Sequence, residues 1–236
     1  LKRASHEGPW RKASRAWQAQ RGEAAIQLLL GAMHGADLHQ PLASMLAYGL
    51  QRLDGRTWST KFRGPLWIHA AAKQPEPEEI EYWQEVYGHI FKLDGEGEPK
   101  FPPCYPTSAL VGIVEMVDCV SAAEFATWDT LPHGARAEAG AHGHDFYLLV
   151  QQHQRLMLPL KMSGQHKLWQ LDHSLASSLW EGGLRPSETM AISWNGHRQA
   201  AEARLASEEG GEASSCPPTV PTPAMKRNAR RSAAAA

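Results

Sequence analysis

Three cysteines in 236 residues are too few for a disulfide framework, and Cys104, Cys119 and Cys216 form no CxxC pair of the kind that holds zinc. A reducing compartment, nucleus or cytoplasm, is therefore expected. Long apolar runs are also absent, so no segment is expected to span a bilayer and no membrane partner is expected. No apolar stretch leads into a small-residue cleavage site, which argues against secretion. No internal repeat is visible, which excludes a solenoid or propeller. Bulk charge of one sign is missing as well, with 24 Lys and Arg against 25 Asp and Glu. The apolar share of 42% is that of an ordinary globular protein and excludes wholesale disorder.

The near-zero net charge hides an uneven distribution. Residues 1–36 carry six Lys/Arg against two Asp/Glu, residues 37–172 eleven against seventeen, and residues 173–236 seven against six. The first segment reads as a basic, partly helical extension, with Trp10 and Trp17 seven residues apart on one helical face. Its Arg- and Ala-rich composition is also that of an organelle transit peptide. The last 30 residues, 207–236, are of low complexity and read as a disordered tail. Their KRNARR hexamer is either solvated charge or a targeting or nucleic-acid patch. A C-terminal extension, 173–206, lies between this tail and a domain at 37–172. An acidic domain holds nucleic acid only through a local basic patch.

Within 37–172, Pro41 opens a short helix over LASMLAYGL, with Gly49 near its end. RLDGRTW reads as a strand or turn. FRGPLWIHAAA reads as a strand in which Leu66, Ile68 and Ala70 alternate with Trp67, His69 and Ala71. Pro75 and Pro77 introduce a helix whose apolar face is Ile80, Trp83, Tyr87 and Ile90, with Glu76, Glu78 and Glu79 at its positive end. ALVGIVEMVDCV, DFYLLV, RLMLPLKM and HKLWQLD read as four further strands, and SAAEFATW as a short helix. After Asp172 the periodicity fades, and HSLASSLW spans one or two helical turns. Met157, Met162 and Trp169 are expected in the core. The pattern is mainly β with flanking helices, an α+β domain built on a small closed or nearly closed barrel.

Four blocks carry a family resemblance: LHQPLASML, GLQRLDGRTW, FRGPLWIHAAAK and KFPPCYPTSALVGIVEMVDCV. WDTLPHGARAEA, HDFYLLV and QRLMLPLKMSGQHKLWQLD follow in order. Together they resemble the ASCH domain of activating signal cointegrator proteins, a member of the PUA-like superfamily. The resemblance implies a small PUA-like β-barrel with a cleft beside the first helix and second strand. The family's cleft motif, G-x-K-x-x-E-x-R, reads here Gly49, Gln51, Asp54 and Arg56. Gln51 removes a cation, Asp54 shortens an acidic arm, and Leu42 stands where the family has Trp. The resemblance further implies RNA or DNA binding in a transcription-coactivator or RNA-processing assembly, with protein partners of that kind. Some bacterial members hydrolyse acetylated cytidine with the motif's lysine and glutamate. Gln51 supplies neither a base nor a cation, so the chain is expected not to be an enzyme.

Arg52, Arg56, Lys61 and Arg63 fall within twelve residues, interleaved with Trp58 and Phe62. Guanidinium groups match phosphate oxygens, so these cations and Lys73 are the expected nucleic-acid contacts, together with Asp54 of the motif. Trp58 and Phe62 are expected in the core. Gln40 and Ser44 at the helix start suit either capping or a phosphate. His69 suits either a structural hydrogen bond or a base contact. His142-Gly-His144-Asp145 has the look of a metal ligand pair, but it sits in an Ala- and Gly-rich stretch, and no metal or other cofactor is expected. The expected binding is weak, mostly to phosphate and poorly specific. A cleft enzyme and a protein-interaction domain without nucleic acid are the alternatives.

Overall fold

The computed structural model describes residues 34–187 and 192–211. The chain divides into two units, 1–201 and 202–236. Residues 1–33 of the basic extension lie outside the described residues, as does the tail beyond Gly211.

The first unit is built on one mixed sheet of seven strands. These are β1 (His34–Leu38), β2 (Leu53–Arg56), β3 (Gly64–Ala70), β4 (Ala109–Ser121), β5 (Phe146–Lys161), β6 (Leu168–Gln170) and β7 (Leu184–Pro186). The strand order is β2-β5-β4-β3-β1-β6, with β7 also on β5. Only the β1–β3 pair is parallel. The β4–β5 register slips at three places, and such bulges sharpen the local twist. The sheet curls into a half-barrel with β2 and β6 at the ends of the order. This curled sheet with flanking helices is the mainly β, barrel-like architecture expected from the strand pattern.

The two expected strands DFYLLV and RLMLPLKM are one, β5, because the Gln151–Gln154 segment between them continues the ladder. Gln152 takes a positive φ of 52° there and absorbs the bend. β1 begins three residues ahead of the expected domain start and pairs along all five residues with β3.

The alternation read in β3 places two apolar sets on opposite faces, and both faces are covered. Helix α1 (Leu42–Ala47) packs Ala43, Leu46 and Ala47 with Ile68, Val114 and Leu148. Trp67, Ile113 and Leu156 meet Trp169, Leu171, Ala176 and Leu184 on the other side. Full burial of side chains of this size contributes about 1.5–3 kcal/mol each. Helix α2 (Pro77–Leu93) starts with Pro77 in its first turn, followed by Glu78 and Glu79, and buries Tyr87 and Ile90 of the expected apolar face. A third cluster joins α3 (Ala122–Ala126) and α4 (His133–His142) to the sheet through Phe125, Trp128, Ala135, Leu53 and Leu149.

The core continues past the expected boundary at residue 172. Ala176 on α5 (His173–Gly182), Leu184 on β7, and Ile192 and Trp194 are all buried. The Trp194 indole donates to the Val150 carbonyl at 3.0 Å. Helix α6 spans Trp194–Gly211, so residues 207–211 of the expected disordered tail are helical. Of the second unit, the described residues form the end of this helix. Met157, expected in the core, is 53% exposed, whereas Trp169 is buried. No helix among the described residues is long and apolar enough to cross a membrane.

Candidate functional site

A cleft of about 380 Å³ opens where β1, β2 and the end of α4 meet. Asp54 and Arg56, two residues apart on β2, point to it together, as strand geometry requires. Asp54 accepts from the Arg56 Nε at 2.6 Å, and the guanidinium also reaches the Asp37 carbonyl at 3.4 Å. Trp58 lies under this guanidinium, 5.6 Å from carbon to ring centre. The indole expected in the core therefore lines the cleft, while Phe62 packs on the core as expected. Leu42, at the family's Trp position, is also a wall residue.

Four imidazoles, His39, His142, His144 and His166, complete the rim with Lys167. Gly55 makes their approach geometrically feasible. A Cβ there would collide with the His144 ring and stand 3.0 Å from the His142 Cβ. His142 stacks on Trp83 at 5.3 Å and contacts the Tyr87 hydroxyl at 3.2 Å. Burial pulls its pKa down to about 4, against the opposing pull of Asp54, so it is neutral at pH 7. Among the described residues no three His, Cys, Asp or Glu side chains are grouped to hold a metal.

Behind this wall lies a second polar cluster. Arg52 is 4% exposed and pairs with Asp94 at 2.6 Å and Glu138 at 3.1 Å. Glu138, wholly buried, also accepts from the Arg52 and Leu53 amides at 2.6 and 3.2 Å. Burial alone would lower the Arg52 pKa, but the Glu138 and Asp94 carboxylates raise it overall. Burial likewise pushes Glu138 up, and Arg52 draws it back. Arg52 thus spends its charge inside the protein and does not offer it to a phosphate.

The other expected contacts are scattered. Gln40 and Ser44 are buried and bonded to each other at 2.8 Å, and Gln40 also donates to the Pro106 carbonyl at 2.7 Å. They tie down the start of α1 and lie outside the cleft lining. His69 is 2% exposed, with its nitrogens 2.7 Å from the Asp37 carboxylate and 2.9 Å from the Met162 carbonyl. It braces Asp37 from behind. Lys61 is exposed beyond β2, outside the cleft lining. Arg63 is paired with Asp118, which Arg198 of α6 also holds. Lys73 is exposed, 3.8 Å from Glu79. Gln51 is fully buried, donating to the Leu53 carbonyl at 2.8 Å. Of the nine expected site residues, Asp54 and Arg56 line the cleft. The wall residues that the sequence did not single out for binding, His39, Trp58 and the adjacent pair His166 and Lys167, come from three segments far apart in the chain.

The model of the ASCH domain family matches residues 37–156. Over 153 residues the chain is 31% identical to activating signal cointegrator 1 of Homo sapiens and 30% identical to that of Mus musculus. Each match covers 65% of this chain and 25% of the relative, so the chain spans about a quarter of the length of these curated relatives. The crystal structure of an ASCH protein from Zymomonas mobilis aligns with 67% of this chain and 99% of its own, at a TM-score of 0.39 and 12% identity. A mutant of the same protein aligns with 64% of this chain and 99% of its own, at 0.39 and 12%.

Proposed function

This chain belongs to the ASCH domain family, and from that premise we propose that its cleft binds a short unpaired stretch of RNA or DNA, as a module of a transcription-coactivator or RNA-processing assembly in the nucleus or cytoplasm. The observation that carries the reading is Arg56, held by Asp54 and backed by Trp58 at the mouth of a cleft ringed with imidazoles. A guanidinium seats a phosphate, and the ring faces stack on unpaired bases. The lining has two cations, Arg56 and Lys167, balanced by Asp37 and Asp54. Such a balanced surface suits single strands, where stacking contributes beside charge, over duplex backbone.

We further propose that the cleft binds without hydrolysis. Asp54 is engaged by Arg56, and Gln51 is turned into the core, so the motif brings no lysine to the bound group. A protein-docking role is the second reading, favoured by Leu158 and Met157, 82% and 53% exposed on β5.

Titration of the full chain with labelled single strands and duplexes at several salt concentrations tests the proposal. The expected result is weak binding that favours single strands. Arg52 and Arg63 lie outside the cleft lining, which holds Arg56 and Lys167, so the cleft contributes two phosphate contacts at most. Changing Arg56 and Lys167 together to Ala should flatten the log–log salt slope by roughly 1.4, at about 0.7 per contact on a single strand. Equal binding by wild type and double variant at all salts would remove the cleft from the reading, and total absence of binding would leave the protein-docking role.

A further inference from the structure

One imidazole of the cleft wall, His142, is linked through Tyr87 to the buried Arg52–Glu138 cluster. Glu138 is buried and ion-paired with Arg52, and the Tyr87 hydroxyl donates to it at 3.3 Å. The same hydroxyl oxygen lies 3.2 Å from His142 Nε2. Tyr87 has one proton, and a carboxylate is a stronger acceptor than a neutral imidazole. The proton therefore goes to Glu138, and the hydroxyl oxygen accepts from His142 Nε2–H. A neutral imidazole that donates from Nε2 keeps a lone pair on Nδ1. The Tyr87 contact uses Nε2 and leaves Nδ1 outside it. The stack on Trp83 holds the ring plane, and the Gly55 backbone passes close to its Cβ. Arg52 of the buried cluster thus acts on the cleft through Glu138 and Tyr87.

We propose that His142 is a specificity-determining residue of the cleft, presenting Nδ1 as a fixed acceptor that selects unpaired bases carrying an exocyclic amino group. Tyr87 is the positioning residue that sets the tautomer. The inference rests on the cleft being the nucleic-acid site proposed above. A base with an amino group donates to Nδ1. One with hydrogen in its place leaves the buried-side acceptor unmatched, and an unmatched polar group in a partly desolvated site costs affinity.

The test compares two single-stranded oligomers that differ only at this group, one containing adenine and the other unsubstituted purine. Full-chain protein should bind the adenine oligomer about five- to tenfold more tightly, the effect of one hydrogen bond. His142→Phe, which keeps a ring against Trp83, should reduce the preference to within twofold. Tyr87→Phe should reduce it as well, because His142 then loses the partner that holds its tautomer. Independently of any ligand, the ¹⁵N shifts of the His142 ring should report the Nε2–H tautomer in the wild type and a tautomer mixture in Tyr87→Phe. Equal affinity of the wild type for both oligomers overturns the inference and leaves the binding reading intact. An Nδ1–H signature also overturns it. Failure to bind either oligomer overturns the binding reading itself, and the selection with it.

Discussion

Arg52 and Arg56 stand four residues apart at one strand, and they belong to different kinds of structure. Arg52 faces inward to Asp94 and Glu138, at side-chain exposures of 5%, 3% and 0%. Arg56 faces the cleft, paired with Asp54 at 17% and 10%. A buried charge depends on all its partners at once, because water is not available to replace any of them. A partly exposed charge keeps some access to water and stays open to a ligand. The inner cluster therefore governs stability, and the outer pair governs what the surface offers.

The sharpest way to break this contrast is Arg52→Ala. It strands Glu138 without its counter-charge, and a loss of about 3–5 kcal/mol is expected in urea unfolding of the full chain. A change below 1 kcal/mol would put Arg52 in the same class as Arg56.

Acid should separate interior from surface next. The imidazoles of His142 and His153 are held down to about 4, in each case chiefly by burial. Above the unfolded value of 6.5 neither state binds the proton, so this stability is fully present. Between 6.5 and about 4 the unfolded chain takes up protons that the folded one refuses, so stability falls as pH falls. Each group contributes up to about 3 kcal/mol over that window. His153→Leu should remove a large part of the decline, read as unfolding free energy at pH 7 and pH 4.5. An unchanged pH profile would show that His153 is not the source.

The inner helix that supplies Glu138 was the least legible part of the chain. The HGARAEAGAH segment has few large apolar residues, and its one carboxylate points into the core, so no amphipathic pattern marked it. Arg52 was misread for a related reason: its partners lie 42 and 86 residues along the chain. Nothing local distinguishes a cation that will be buried from one that will not. The place of Arg56 at the cleft was easier to read, because it and Asp54 sit two residues apart in one motif. Strand β3 was legible from its two-residue alternation and β4 from its density of Val and Ile. The single long β5 was not, since QQHQ reads as a break by composition.

Arg56→Ala should leave unfolding free energy within about 1 kcal/mol of wild type, because its pair is partly exposed. A larger loss would make the outer pair structural and weaken its assignment to the cleft. The smallest effect belongs to Lys73→Ala. With 64% of its side chain exposed and Glu79 at 3.8 Å, stability should change by less than about 0.5 kcal/mol. Nucleic-acid affinity should not move, and a clear drop would extend the binding surface beyond the cleft.

The pairing of β2 with β5 joins Leu53 to Leu149 and Arg56 to Phe146. Nearly a hundred residues of chain separate the two sides of this ladder. A ribosome making this protein completes β2 long before its partner strand exists, so the Asp54–Arg56 edge must wait unpaired until β5 emerges. Closing so long a loop is slow compared with forming helices or hairpins. The cleft is therefore expected to be among the last features to mature. Pulse-labelled hydrogen exchange during refolding should find the β2 amides protected after those of α2.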